Sequence, residues 1–223
     1  MRRPRAVLFD LDGTLTDSAP AIARALAVVW RAAGRSPPPL DAVRDMIGDG
    51  PGVLIEKSRQ FSGLKEDADA AAAEVDAFMQ AYSADGPGGD AYPDALATLR
   101  SLAAGGTAMA VCTNKPQAAA ERLLAALGFA PFLAGVVGGD ATPRRKPDPA
   151  HVQRALALLA EIAPEDAVLV GDGLQDVAAA EAAGVPVIVA RYGYGGAHAA
   201  RPDLPAIDAI GELPAFLERA ADA

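Results

Sequence analysis

The chain has 223 residues, enough for one large domain or a core domain carrying an insert. Hydrophobic residues make up 51% and aromatics only 5%, so a core has to be built from alanine and aliphatic side chains. The net charge of −9 excludes the basic footprint of a general nucleic-acid binder and disfavours adsorption to an anionic membrane.

In chain order the first element is "AVLF" (6–9), an apolar run with the length of a buried strand. The basic start ahead of it does not make a signal peptide, because the apolar stretch ends at Asp10. No run approaches the length of a membrane span, and a cytoplasmic protein is expected. The strand feeds directly into Asp10, Asp12, Gly13 and Thr14.

Residues 17–90 follow, and their pattern is mostly helical. In "SAPAIARALAVVWRAAG", Ser18 is placed to cap a helix, and Ile22, Leu26, Val29, Trp30 and Ala33 form one apolar stripe before Gly34. Residues 64–82 repeat the theme with Leu64, Ala68, Ala71, Val75, Phe78, Met79 and Tyr82. The stretch is too long for one crossover helix. It reads as a helical insert rejoining the rest through "DGPGGDAYPD", whose glycines suit a hinge.

Strand-like runs then return at 107–113, 167–172 and 185–190, with a weaker one at 134–140. Helical patterns separate them: Pro116 to Leu127, stopped by Gly128; Pro149 to Glu161; and Leu174 to Ala183, closed by Gly184. Strands alternating with helices specify an α/β protein with a parallel sheet covered on both faces. Trp30 reads as a packing residue of the insert. Cys112, the single cysteine, reads as core and permits neither an intrachain disulfide nor a cysteine metal cluster. His151 and His198 are isolated and read as structural or exposed.

Asp10 and Asp12 project to one side of the strand end, since side chains alternate along a strand. In open parallel sheets, ligands bind outside the carboxyl ends of the strands. The second long run ends in Thr113, Asn114 and Lys115; the run at 167–172 leads to Asp172 and Asp176; and Lys146 stands in "RRKPDP" just before a helix. Every polar cluster therefore falls at one edge of the sheet. Two unit charges about 4 Å apart repel by about 4 kcal/mol at an effective dielectric near 20. Gathered carboxylates therefore need a cation, and oxygen ligands without His or Cys suit Mg²⁺. With Lys146 as a fixed positive charge, such a site suits a phosphate. No Ser–His pairing and no phosphate-binding P-loop is present. An aspartate can itself attack phosphorus, and a second carboxylate can serve as acid and base.

"DLDGTLTDS", "TNK", "KPDP" and "GDGLQD" resemble, in order, the four motifs of the haloacid dehalogenase superfamily of phosphatases. The resemblance spans essentially the whole chain. It implies a doubly wound, Rossmann-like parallel sheet, residues 1–16 and 91–223, with residues 17–90 as an inserted α-helical cap. It also implies Asp10 as nucleophile and Asp12 as general acid/base, with the Asp12 backbone carbonyl on Mg²⁺. Thr113 and the Asn114 backbone would hold the phosphoryl group, and Lys146 would neutralise it and orient Asp10. The metal set would be Asp10, Asp12, Asp172 and Asp176. Asp12 argues against carbon–halogen cleavage, because the dehalogenating branch lacks that aspartate. The last motif usually reads Gly-Asp-Ser, whereas this chain has Gly173 after Asp172.

A finer similarity is to phosphoglycolate phosphatases, carried by "IGDGPGVLIEKS" (47–58), by "TNKP" and by the Tyr-Gly-Tyr-Gly stretch near the end. It implies Mg²⁺-dependent hydrolysis of 2-phosphoglycolate through an aspartyl-phosphate. Backbone N–H groups around Gly48 and Gly50 can receive an anion at a helix start. Lys57 stands where the group often has a basic residue, against a rival reading as a solvated helix lysine. The alternatives are another small-molecule phosphatase, a β-phosphoglucomutase-like phosphomutase, a phospho-accepting signalling domain or an inactive interaction protein. The implied partner is a small phosphorylated metabolite, with no nucleic acid or membrane, and the chain is expected to be a monomer or homodimer.

Overall fold

The computed structural model describes residues 4–221, so the outer ends of the expected core, 1–3 and 222–223, lie outside the described residues. In chain order the elements begin with strands β1 (Ala6–Phe9) and β2 (Thr16–Asp17). Helices α1 (Ala19–Ala32), α2 (Leu40–Arg44), α3 (Gly50–Phe61) and α4 (Ala68–Ala84) follow. Then come β3 (Asp90–Ala91), α5 (Ala95–Ala104), β4 (Ala108–Cys112), α6 (Gln117–Ala126) and β5 (Val136–Val137). The chain continues with α7 (Pro149–Leu156), β6 (Ala167–Gly171), α8 (Leu174–Ala182) and β7 (Val187–Ala190). It ends with α9 (Ala197–Ala200), β8 (Ala206–Ile207) and α10 (Leu213–Ala221).

Six strands form a parallel sheet in the order β5-β4-β1-β6-β7-β8. The alternation of β1 explains its central place. Val7 and Phe9 enter one apolar cluster with Leu99, Leu123 and Leu213 of α5, α6 and α10. Ala6 and Leu8 enter the opposite cluster with Val152 and Val177 of α7 and α8. Helices therefore cover both faces, which makes the core a doubly wound α/β sheet. Each fully buried Phe9 or Leu8 contributes about 1.5–3 kcal/mol relative to exposure.

β2 and β3 pair antiparallel where the chain passes from the sheet to the helical segment and back, with Thr16 opposite Ala91 and Asp17 opposite Asp90. Helices α1 to α4 pack around a third cluster that includes Ile22, Leu26, Trp30, Leu54, Ile55, Phe78 and Tyr82. Ala119 of α6 also belongs to it, so that helix start touches the helical segment. Trp30 is fully buried there and donates from Nε1 to Ser62 Oγ at 2.9 Å.

Local expectations fail at several places: Ala33 and Ala68, expected in apolar stripes, are exposed, and Leu64 precedes α4. Ser18 stands at the start of α1 but makes no capping bond; its hydroxyl donates instead to Asp12 Oδ1 at 2.6 Å. A carboxylate is the stronger acceptor, and a charge-assisted bond outweighs a cap. The helix expected over 149–161 stops at Leu156, and Glu161 takes φ +58. The turn this makes keeps Leu159 buried against the sheet, where a continued helix would have carried the chain past it.

Candidate active site

The site is assembled at the carboxyl ends of β1, β4 and β6. The Asp10 N–H donates to the Val170 carbonyl at 2.9 Å, extending the β1–β6 ladder by one residue and fixing where Asp10 leaves the sheet. The Thr113 N–H does the same toward Val137 at 3.0 Å, at the end of β4. Gly13 then turns the first loop with φ +87, and a side chain there would fall on the Asp172 carboxylate. Only glycine allows the loop to close onto Asp172.

Asp10, Asp172 and Asp176 are all buried, and one carboxylate oxygen from each lies within 4.8 Å of the others. Lys146 enters this cluster from the connection before α7. Its Nζ donates to Asp10 Oδ1 at 2.8 Å, to Asp176 Oδ1 at 2.6 Å and to the Cys112 carbonyl at 2.6 Å. All three ammonium protons are thus used. Asp176 Oδ2 accepts from the Gly173 N–H at 2.9 Å. Asp172 Oδ2 accepts from the N–H groups of Tyr194 and Gly195, both at 2.8 Å, and Thr14 Oγ1 lies 3.4 Å from its other oxygen.

One cation among three carboxylates leaves an excess of negative charge. Burial, with Asp176 beside it and Lys146 opposing, pushes Asp10 up to about 7. Burial, together with Asp10 and Asp176, holds Asp172 well above the usual carboxylate range. Burial disfavours the Lys146 charge, but Asp10 and Asp176 outweigh it and raise its pKa. Converging oxygen donors that repel one another, with no His or Cys among them, fit a hard divalent cation. Cys112 is buried and pushed up to about 12 by desolvation, which removes it as a nucleophile. His151 is a buried strut, bonded to the Thr113 carbonyl at 3.2 Å and to Thr142 Oγ1 at 2.9 Å. His198 is exposed on α9.

Asp12 faces a cavity between the sheet and helices α1, α3 and α4. Asp10, Thr113, Asn114, Gly48 and Gly50 also line it. The Asn114 side chain is oriented by two acceptors, donating to the carbonyls of Gly48 and Lys146, each at 2.9 Å. Gly48 thereby turns its carbonyl, not its N–H, toward Asn114. Lys57 does not line the cavity; it is half-buried on α3 and pairs with Asp49 at 3.0 Å.

The structure adds groups to which the sequence reading attached no role at this site. Lys115 Nζ lies 2.9 and 3.1 Å from the two oxygens of Asp12 and 4.8 Å from the centroid of the Tyr82 ring. Ser18 bonds Asp12 and lies 3.2 Å from the Tyr194 hydroxyl. Gln175 reaches across to Gly48. Lys115 was the most legible of these, since it follows Thr113 and Asn114 in the same strand-end loop.

Comparison with known proteins places these features in context. A family model described as haloacid dehalogenase-like hydrolase matches residues 4–184. The phosphoglycolate phosphatase of Rhodospirillum rubrum is 44% identical over 196 residues, covering 86% of this chain and 81% of that protein. Phosphoglycolate phosphatase 1 of Pseudomonas aeruginosa is 37% identical over 227 residues, covering 99% and 82%. The crystal structure of "a predicted phosphoglycolate phosphatase" from Haemophilus somnus superposes with a TM-score of 0.87 at 26% identity, covering 97% of this chain and 99% of the other. Among the described residues, no helix is long and apolar enough to cross a membrane.

Proposed function

The chain belongs to the haloacid dehalogenase-like hydrolases, and within that family we propose that it hydrolyses 2-phosphoglycolate through an aspartyl-phosphate on Asp10, with Mg²⁺ as the cation. The observation that carries this reading is the convergence of Asp10, Asp172 and Asp176 around Lys146, with Asp12 on the same loop facing the cavity. The names of the similar proteins support the substrate.

Asp10, Asp172 and Asp176, with the Asp12 backbone carbonyl, would hold Mg²⁺. The bound ion supplies charge neutralisation for the carboxylates and the phosphoryl oxygens. Lys146 holds one Asp10 oxygen and so leaves the other to attack phosphorus. The Thr113 hydroxyl and the Asn114 N–H receive the phosphoryl oxygens. As the bond from phosphorus to the leaving oxygen breaks, Asp12 delivers a proton to glycolate. Asp12 then takes a proton from water, which attacks the aspartyl-phosphate, releases phosphate and restores Asp10. Lys115 and Ser18 fix the orientation of the Asp12 carboxylate throughout.

Residues 17–90 serve in this reading as the cap, excluding water from the reacting groups. Their own apolar cluster and their two-strand tether at β2 and β3 suit a body that moves as a unit.

Phosphate release with Mg²⁺ across a panel of small phosphomonoesters, including β-glucose 1-phosphate, tests the assignment. The expected result is a kcat/KM for 2-phosphoglycolate at least about tenfold above the rest, or about 1.4 kcal/mol of discrimination. A flat profile would overturn the substrate, and no release from any member would overturn the reaction.

A further inference from the structure

A two-carbon phosphomonoester with a carboxylate presents two anionic ends. The phosphoryl end has the acidic cluster's cation and Lys146. The other end enters a cavity whose far wall is apolar, formed by Ile22, Leu54, Phe78 and Met79 of the helical segment. An unpaired carboxylate left against such a wall carries a large desolvation penalty. A cation or a set of converging N–H donors must therefore face it.

Lys115 is the basic side chain among the described residues lining the cavity, and the Arg145 guanidinium lies beside Gly50, which also lines it. Lys146 has spent its three protons on Asp10, Asp176 and the Cys112 carbonyl. Lys57 is engaged with Asp49 outside the lining. Lys115 is only 5% exposed, and the oxygens it meets belong to one carboxylate, that of Asp12. Two bonds to one carboxylate leave the third ammonium proton facing the Tyr82 side chain, a neutral partner that a substrate carboxylate can share or displace. The Tyr82 ring covers the ammonium from the helical side, excluding water while adding cation–π attraction.

Position agrees with availability. Lys115 lies in the loop that carries Thr113 and Asn114, and its N–H donates to Thr113 Oγ1 at 3.2 Å. A two-carbon chain is short, so an acid held by its phosphoryl group at this loop keeps its carboxylate close to the same loop. The leaving oxygen that Asp12 protonates is also one carbon away from that carboxylate's carbon, and Lys115 sits directly on Asp12.

We propose that Lys115 is the specificity-determining residue of this site, its ammonium bridging Asp12 and the substrate carboxylate beneath the Tyr82 ring. This role rests on the reading of the chain as a phosphatase acting on a small acidic phosphomonoester. The lysine remains charged there: burial opposes the charge, but Asp12 and Tyr82 outweigh it and raise its pKa.

The test is the ratio of kcat/KM for 2-phosphoglycolate to that for 2-hydroxyethyl phosphate, which has the same carbon count and no carboxylate. It is measured with Mg²⁺ for the wild type, Lys115→Met and Lys115→Arg. Both substrates are assayed on one preparation, so any unfolded fraction cancels from the ratio. The expected result is a preference for the acid in the wild type, reduced at least about tenfold by Lys115→Met and largely kept by Lys115→Arg. If turnover of Lys115→Met is too slow, the same ratio is read as Kd by calorimetry in an Asp10→Asn background. A Lys115→Met protein weakened equally toward both compounds would overturn the proposal and leave the substrate assignment standing. A wild type without preference for the acid would overturn both.

Discussion

Lys146 Nζ lies 2.8 Å from Asp10 Oδ1 across a sequence separation of 136 residues, and both groups are buried. Asp172 and Asp176 add further negative charge beside the pair. Removing one member of such a pair leaves the other buried without compensation.

Lys146→Met is therefore expected to lower stability in chelator by about 3–5 kcal/mol, read from urea unfolding, and to abolish turnover. Saturating Mg²⁺ recovers part of the stability, because ion binding to the native carboxylates favours the folded state. An unchanged urea midpoint in chelator would mean that Lys146 is not the compensating charge.

Asp10→Asn gives the complementary result and sets the pH dependence. Burial, with Asp176 adding to it and Lys146 opposing, raises Asp10 to about 7 in the fold, against about 3.9 for an unfolded aspartate. Between these values the folded state binds the extra proton, so metal-free stability declines as pH rises from about 4 to about 7. Asp172 acts in the same sense. His151, held below its ordinary value by burial, acts oppositely below about pH 6.5 and is common to both proteins. In chelator the wild type should lose about 1–3 kcal/mol relative to inactive Asp10→Asn between about pH 4.5 and 7.5. Urea unfolding at the two pH values reads this. A constant gap would show that Asp10 does not titrate in that range.

Gly173 stands where related motifs usually have serine, and Gln175 fills the space. A β-carbon on Gly173 would meet the Gln175 amide, and the same amide lies 2.8 Å from where a β-carbon on Gly48 would sit. The Gly173 backbone is extended, with φ −101, so serine fits it without strain. The nearest atoms its β-carbon meets belong to the flexible tip of Gln175. Gly173→Ser is expected to change stability by no more than about 0.5 kcal/mol and kcat/KM by no more than about threefold, checked by thermal unfolding and phosphate release. A loss beyond tenfold would show that the contact from Gln175 to Gly48 is needed to seat the helical segment.

Much of this was legible from local pattern. The run Ala6–Phe9 reads as a strand because four apolar residues end at a charged pair, and the structure gives it those bounds. The long strand-like runs and the helices stopped by Gly128 and Gly184 read correctly for the same reason: periodicity and glycine punctuation are local properties. The α5 and α10 helices were not read, although Asp94 and Gly105 bound the first and Pro214 opens the second; both pack on the face that carries Val7 and Phe9.

By itself, the sequence determined the α/β class, the order of the acidic and basic loops and their gathering at one edge, since parallel strands all end on the same side. Tertiary structure alone decided which groups meet there. It turned Ser18 from a helix cap into a ligand of Asp12, gave Asp172 the N–H groups of Tyr194 and Gly195, and turned Lys57 toward Asp49. It also drew Lys115 under Tyr82. Such choices depend on sheet order and on side-chain reach, across separations such as six residues for Ser18 and Asp12 and 22 for Asp172 and Tyr194, and no sequence periodicity carries them. Strand-end chemistry is written locally; its pairing is a consequence of the packed fold.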